Sequence, residues 1–167
     1  MTSTFLRSTL AALACAGALA LASPSMAAMV NLKADLKASN EVPVNDSKGS
    51  GSVTATYDTA SKKLSWKGTI SGLSGPATAA HFHAGEAGKN GAVVIPITGA
   101  DKGSFEGSAT LTDAQEADLM AGKLYVNIHT AANKGGEIRH HWECDACGKP
   151  SSTSIPLTTH ESAPLRN

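Results

Sequence analysis

The chain has 167 residues with 14 basic and 14 acidic side chains. It shows no basic stripe, which excludes an electrostatic nucleic-acid binder. Aromatic residues are only 4% of the whole while glycines number 16, so the core has to come from Val, Ile, Leu and Ala in short strands.

The first 27 residues read as a secretory signal peptide. Arg7 supplies a positive start, residues 9–22 (TLAALACAGALALA) are an uncharged apolar run, and Ser25-Met26-Ala27 is a small-x-small cleavage site. The run falls short of a membrane span, so none is expected once the signal is removed. Cys15 lies inside the run, but Ala12 stands where a lipidation signal wants a larger aliphatic residue. Cleavage after Ala27 removes Arg7 and leaves 13 basic against 14 acidic residues. A periplasmic or secreted location follows, and one domain over residues 28–143.

That domain alternates β-like runs with Gly, Pro, Asn and Asp punctuation. Residues 30–38 alternate apolar and polar, residues 49–58 carry Val53, Ala55 and Tyr57 on one face, and residues 62–71 carry Leu64, Trp66 and Ile70. Ala77–Ala84 holds His81 and His83. Residues 91–98 form a buried strand in which Pro96 argues for an edge or a bulge, and residues 103–111 form another. Residues 112–122 are the one helical segment, with Thr112 as N-cap, Gln115 completing a capping box and Gly122 as the stop. Leu124–Thr130 and residues 137–143 are then strands joined by a turn-rich loop at 131–136. The fold class is all-β, an antiparallel sandwich or barrel of about eight strands with one short helix. Residues 144–167, rich in Ser, Thr and Pro, read as a flexible tail in which His160 is a solvated residue.

Five of the six histidines lie in three strand-like runs: His81-Phe82-His83, Asn127-Ile128-His129 and Arg139-His140-His141. Residues two apart on a strand share a face, so His81 and His83 project side by side about 6.6–7 Å apart. With Phe82, Leu124, Val126, Ile128 and Ile138 turned inward, His81, His83, Tyr125, Asn127, His129, Glu137, Arg139 and His141 face outward. A three-residue loop at 133–135 would set His129 opposite Arg139 and Asn127 opposite His141, although a one-residue slip would reverse every face. A lone surface histidine is seldom a ligand, but an HxH pair joined by a third histidine on a distant strand points to a metal site. The expected ligands are His81, His83 and His129, with His141 as a weaker fourth. Imidazole donors in an exported protein suit copper, with zinc the alternative ion. His140 shares a face with Ile138 and reads as structural.

Cys144 and Cys147 form a CxxC directly after the last strand. It lacks the further ligands of a zinc site and the strand-then-helix setting of a redox motif, so it reads as a local disulfide or, more sharply, a soft-metal docking pair. The glycine-rich stretch at 85–91 links two strands and reads as a turn rather than a phosphate loop. Glu86 is near enough to His83 in sequence to be considered as a general base.

The residues Ala80-His81-Phe82-His83-Ala84-Gly85, Gly91-Ala92-Val93-Val94, residues 122–130 (GKLYVNIHT) and Gly135-Gly136-Glu137-Ile138-Arg139 together resemble the CHRD domain, over residues 30–141. That resemblance implies an immunoglobulin-like β-barrel, of Greek-key type, and says less about chemistry. His140-His141-Trp142 and the CxxC depart from the pattern. A looser likeness to copper–zinc superoxide dismutase would make His81, His83 and His129 copper ligands and Arg139 an anion guide. The bridging histidine, zinc subsite and long channel loop of that family are missing. Three functions follow: a metal-binding protein for storage, delivery or detoxification; a module binding a protein or surface partner without metal; and a copper-only dismutase-like enzyme.

Overall fold

The computed structural model describes residues 27–144. Of the signal peptide expected over residues 1–27, residues 1–26 lie outside the described residues, as do residues 145–167 of the expected tail, with Cys147 and His160; Cys144, expected to begin that tail, instead lies in a short strand.

The strands are β1 (Met29–Lys37), β2 (Ser50–Asp58), β3 (Lys63–Ser71), β4 (Ala77–Ala84), β5 (Ala92–Pro96), β6 (Ser104–Thr110), β7 (Leu124–Thr130), β8 (Ile138–His141) and β9 (Glu143–Cys144), with helix α1 (Asp113–Met120) between β6 and β7. They make one antiparallel sheet in the order β5-β4-β7-β8-β1-β2-β3-β6, with β9 pairing the far end of β1. The sheet curls into a nearly closed barrel. The segment linking the two edge strands bridges the gap: Ile97 N–H donates to the Ala80 carbonyl of β4, and Ile70 N–H of β3 donates to the Gly103 carbonyl, each at 2.9 Å. The fold class matches the expectation from the strand pattern. Pro96 ends the edge strand β5, where its missing N–H costs no ladder bond. Thr112 and Gln115 cap α1 reciprocally. Among the described residues no helix is long and apolar enough to cross a membrane.

Strict alternation builds the core. β1 buries Val30, Leu32, Ala34 and Leu36 and exposes the residues between them. Phe82 sits at the centre, edge-on to Trp66 with centroids 4.8 Å apart and 5.6 Å from Trp142. Aromatics this large need space on neighbouring strands, and glycine supplies it. Gly107 lies opposite Trp66 and Gly68 opposite Phe105. A Cβ on either glycine would come within 2.7 Å and 2.6 Å of the facing ring.

One expectation fails in an informative way. The outward face of β7 was expected to meet solvent, yet all seven residues of the strand are buried. Two loops cover it. The segment 38–49 crosses β8, where the Asn40 and Asn45 side-chain amides donate to the carbonyls of Arg139 and Glu137. The loop 85–91 folds back over Tyr125, and the Asn90 amide donates to the Val42 carbonyl, joining the two covers. Alternation gives the side on which a residue lies but cannot show what lies over it.

Candidate metal centre

The β4–β7 register sets His81 opposite Asn127, His83 opposite Tyr125 and Ala79 opposite His129. His129 is therefore the diagonal neighbour of His81, a separation that long side chains span. The β7–β8 register pairs Asn127 with Arg139 and Tyr125 with His141. It thus differs by two residues from the expected one, which set His129 opposite Arg139. The hairpin loop is longer than three residues, with Glu137 N–H donating to the Ile128 carbonyl at 2.7 Å. Because the shift is even, the histidines keep their face.

His81, His83 and His129 converge. One ring nitrogen from each falls within 4.8 Å of the other two. The ring centroids make a nearly equilateral triangle with sides of 5.2, 5.6 and 5.9 Å. Two imidazoles on one tetrahedral ion, with bonds of about 2.0–2.1 Å, place their nitrogens about 3.3 Å apart. His81 Nδ1 and His129 Nε2 stand 3.3 Å apart. Closing the third donor onto the same ion takes a movement of about 1.5 Å, within reach of a ring rotation.

Hydrogen bonds orient two of the rings. His83 Nδ1 lies 3.0 Å from the Gly91 carbonyl and His129 Nδ1 3.0 Å from the Lys134 carbonyl. A carbonyl only accepts, so each Nδ1 carries the proton and each Nε2 keeps a lone pair. His83 Nε2 is buried and has no hydrogen-bond partner. An orphaned buried acceptor costs about 1–3 kcal/mol unless something occupies it. Burial lowers the pKa of both rings; the carbonyl bonds oppose this and nearby positive groups reinforce it. Both imidazoles are thus neutral and able to bind a metal at neutral pH. His81 is partly exposed, while His83 and His129 are buried, so the group opens to solvent on the His81 side.

His141 shares the face but lies outside the group. Its Nε2 is 3.0 Å from the Gly85 carbonyl, and Tyr125 stands between it and His83 in the strand order. His140 places Nδ1 2.6 Å from the His141 carbonyl and Nε2 3.8 Å from Glu143, away from the triad. Glu86 is exposed on its loop and paired with Lys123 at 3.2 Å. Cys144 is disulfide-bonded, which removes its thiolate as a metal donor; Cys147 lies outside the described residues.

Arg139 is not an outward anion guide. It is 1% exposed. Its Nε donates to the Asn40 carbonyl at 2.7 Å, one terminal nitrogen donates to Asn90 Oδ1 at 2.9 Å, and its guanidinium lies 4.8 Å over the Tyr125 ring. Beside it the buried Glu41 carboxyl approaches Nε at 3.9 Å. Burial raises Glu41 to about 7, with Arg139 pulling the other way.

Several supporting groups escaped the sequence reading. Tyr125 stacks on His83, and its hydroxyl accepts the Gly91 N–H at 2.9 Å. Gly91 has no room for a side chain, since a Cβ would sit 1.8 Å from the Ala84 carbonyl oxygen. Glu137 is wholly buried and accepts from Ser47, both the N–H and hydroxyl of Ser74, Thr130 and Asn133. Burial pushes its pKa up, but the hydrogen bonds from Ser47, Ser74 and Thr130 outweigh that and hold it down at about 2. It anchors the loop whose Lys134 carbonyl orients His129. The glycines at 85 and 91 were the only available signal, and they read equally well as a plain turn.

The model of the CHRD domain family matches residues 32–142 of the chain, a span that takes in all three histidines. No curated protein and no solved structure matches it.

Proposed function

The chain belongs to the CHRD domain family, and within that fold we propose that it is an exported metal-binding protein whose ion, copper, is held by His81, His83 and His129. The convergence of the three imidazoles, with the buried Nε2 of His83 left without a partner, is the observation that carries this reading. A histidine serving only as core filler would have that nitrogen satisfied or the ring turned to water. Here a backbone carbonyl fixes the tautomer and leaves the His83 Nε2 lone pair without a donor, while His129, its tautomer fixed in the same manner, meets His81 Nδ1 through its own Nε2. This is the arrangement seen around metal-ligating histidines generally, where the second nitrogen is engaged by a carbonyl or carboxylate.

The choice of copper rests on the all-imidazole donor set; zinc is the alternative ion. Export rests on the signal-like residues 1–27 and gives a periplasmic or secreted location, where storage, delivery or detoxification of the ion is the role. A binding role is put first and a copper-only dismutase-like enzyme is kept as a further alternative.

The test is equilibrium dialysis of purified protein against copper and zinc salts with elemental analysis. Wild type retains one equivalent of ion, and His81→Ala/His83→Ala loses it while keeping its β-sheet circular dichroism. Equal retention by the two proteins removes the metal centre, and leaves a module that binds a partner through its surface.

A further inference from the structure

Resting on the metal-centre reading above, we infer that the ion this site is built to take is monovalent copper, Cu(I), held by three imidazoles alone. Charge is the first reason. Among the described residues the triad contains no carboxylate or thiolate. Neither buried acid belongs to the group: Glu137 is engaged by hydroxyl, amide and backbone donors, and Glu41 approaches Arg139 through Oε2 at 3.9 Å. The positive Arg139 guanidinium lies 4.8 Å over the Tyr125 ring that stacks on His83. The protein therefore offers an incoming cation three imidazoles and no counter-charge.

Burial is the second. His83 is 7% exposed and His129 9%. The cost of taking an ion out of water rises with the square of its charge, about fourfold from a monovalent to a divalent ion of similar size. A divalent ion here has to bring an anion with it. A monovalent ion does not.

Coordination number is the third. The triangle of rings supplies three donors and the described residues supply no fourth, so a fourth ligand has to be water or an anion entering on the His81 side. His141 is held on the Gly85 carbonyl and separated from the triad by Tyr125. Cu(II) prefers four or more donors in a tetragonal array and Zn(II) four in a tetrahedron. A filled d shell leaves Cu(I) content with three.

The oxidation-state test measures three affinities on wild-type protein. Cu(I) is competed anaerobically against the chromophoric chelator bicinchoninate. Cu(II) and Zn(II) are each competed against a chelator of known affinity, at low and at high chloride. The expected result is a Cu(I) dissociation constant about a thousandfold below that of Cu(II). This places the bound couple about 180 mV above aqueous copper. Chloride should tighten the divalent ions. If Cu(II) or Zn(II) binds as tightly as Cu(I) without added anion, the oxidation-state inference is overturned while the metal centre stands. If wild type holds none of the three ions better than His81→Ala/His83→Ala does, the metal centre itself falls and this inference with it.

Discussion

The ring of Tyr125 lies flat against that of His83, with centroids 5.0 Å apart and planes 10° from parallel. The same tyrosine accepts the N–H of Gly91, whose carbonyl engages His83 Nδ1. One side chain thus holds the histidine twice, through its face and through the backbone that fixes its tautomer. The guanidinium of Arg139 lies over the tyrosine ring, and His141 borders it at a centroid distance of 4.9 Å. The stacked tyrosine couples the triad to the buried polar cover of the sheet.

Tyr125→Phe keeps the stacked ring and removes only the hydroxyl. The Gly91 N–H loses its acceptor and the carbonyl that orients His83 is less constrained. Copper affinity should fall about tenfold, the lower end of the range for losing an outer-shell partner. The fold should lose about 1 kcal/mol. Competition titration and urea denaturation on the same samples check both.

His141→Ala should leave copper affinity within about twofold of wild type, because Tyr125 separates it from the triad and its Nε2 faces a carbonyl. A loss as large as that of His129→Ala would place His141 among the ligands. Titration of the two variants side by side decides this.

The strands were legible in the sequence because β1, β2 and β3 are wet on one face and buried on the other, and such strands alternate cleanly. The histidine triad was legible for a related reason. HxH on β4 and the terminal histidine of β7 keep one face whatever even register their strands adopt. The cover was not legible. Glu41, Asn90 and Gly91 reach the site from loops, and their roles depend on where the backbone folds back rather than on any period. The burial of Arg139 and Glu137 was missed for the same reason: both sit at outward positions of an alternating pattern, and the segment 38–49, with Asn90 beside Arg139 and Ser74 beside Glu137, makes them interior.

Glu137→Gln replaces an acceptor-only carboxylate with an amide that turns donors toward Ser47, Ser74 and Thr130. Hydrogen bonds to a buried charged group are the strong class, so the fold should lose about 2–3 kcal/mol. The loop that carries the Lys134 carbonyl loosens as well, and copper affinity should drop with it. Urea denaturation and competition titration of this variant check the pair of effects.

The same two acids shape the pH profile with opposite signs. Glu137 has a folded pKa of about 2 against 4.5, so its contribution is present above 4.5 and is lost as pH falls toward 2. Glu41 is raised from 4.5 to about 7. Between those values the unfolded chain has released the proton and the folded chain still holds it, so stability falls as pH rises through this window and levels off above about 7. The loss should be roughly 2–4 kcal/mol. Glu41→Gln should abolish it while keeping the acid limb, and denaturation midpoints from pH 3 to 9 show the difference.

X-ray absorption at the copper edge of the loaded protein tests the central claim most directly. Three imidazole nitrogens at about 2.0 Å, with the multiple-scattering signature of histidine rings, are the expected result, and His129→Ala should reduce the count to two. A metal bound by oxygen or sulfur, or by a single imidazole that persists in His81→Ala/His83→Ala, would contradict it.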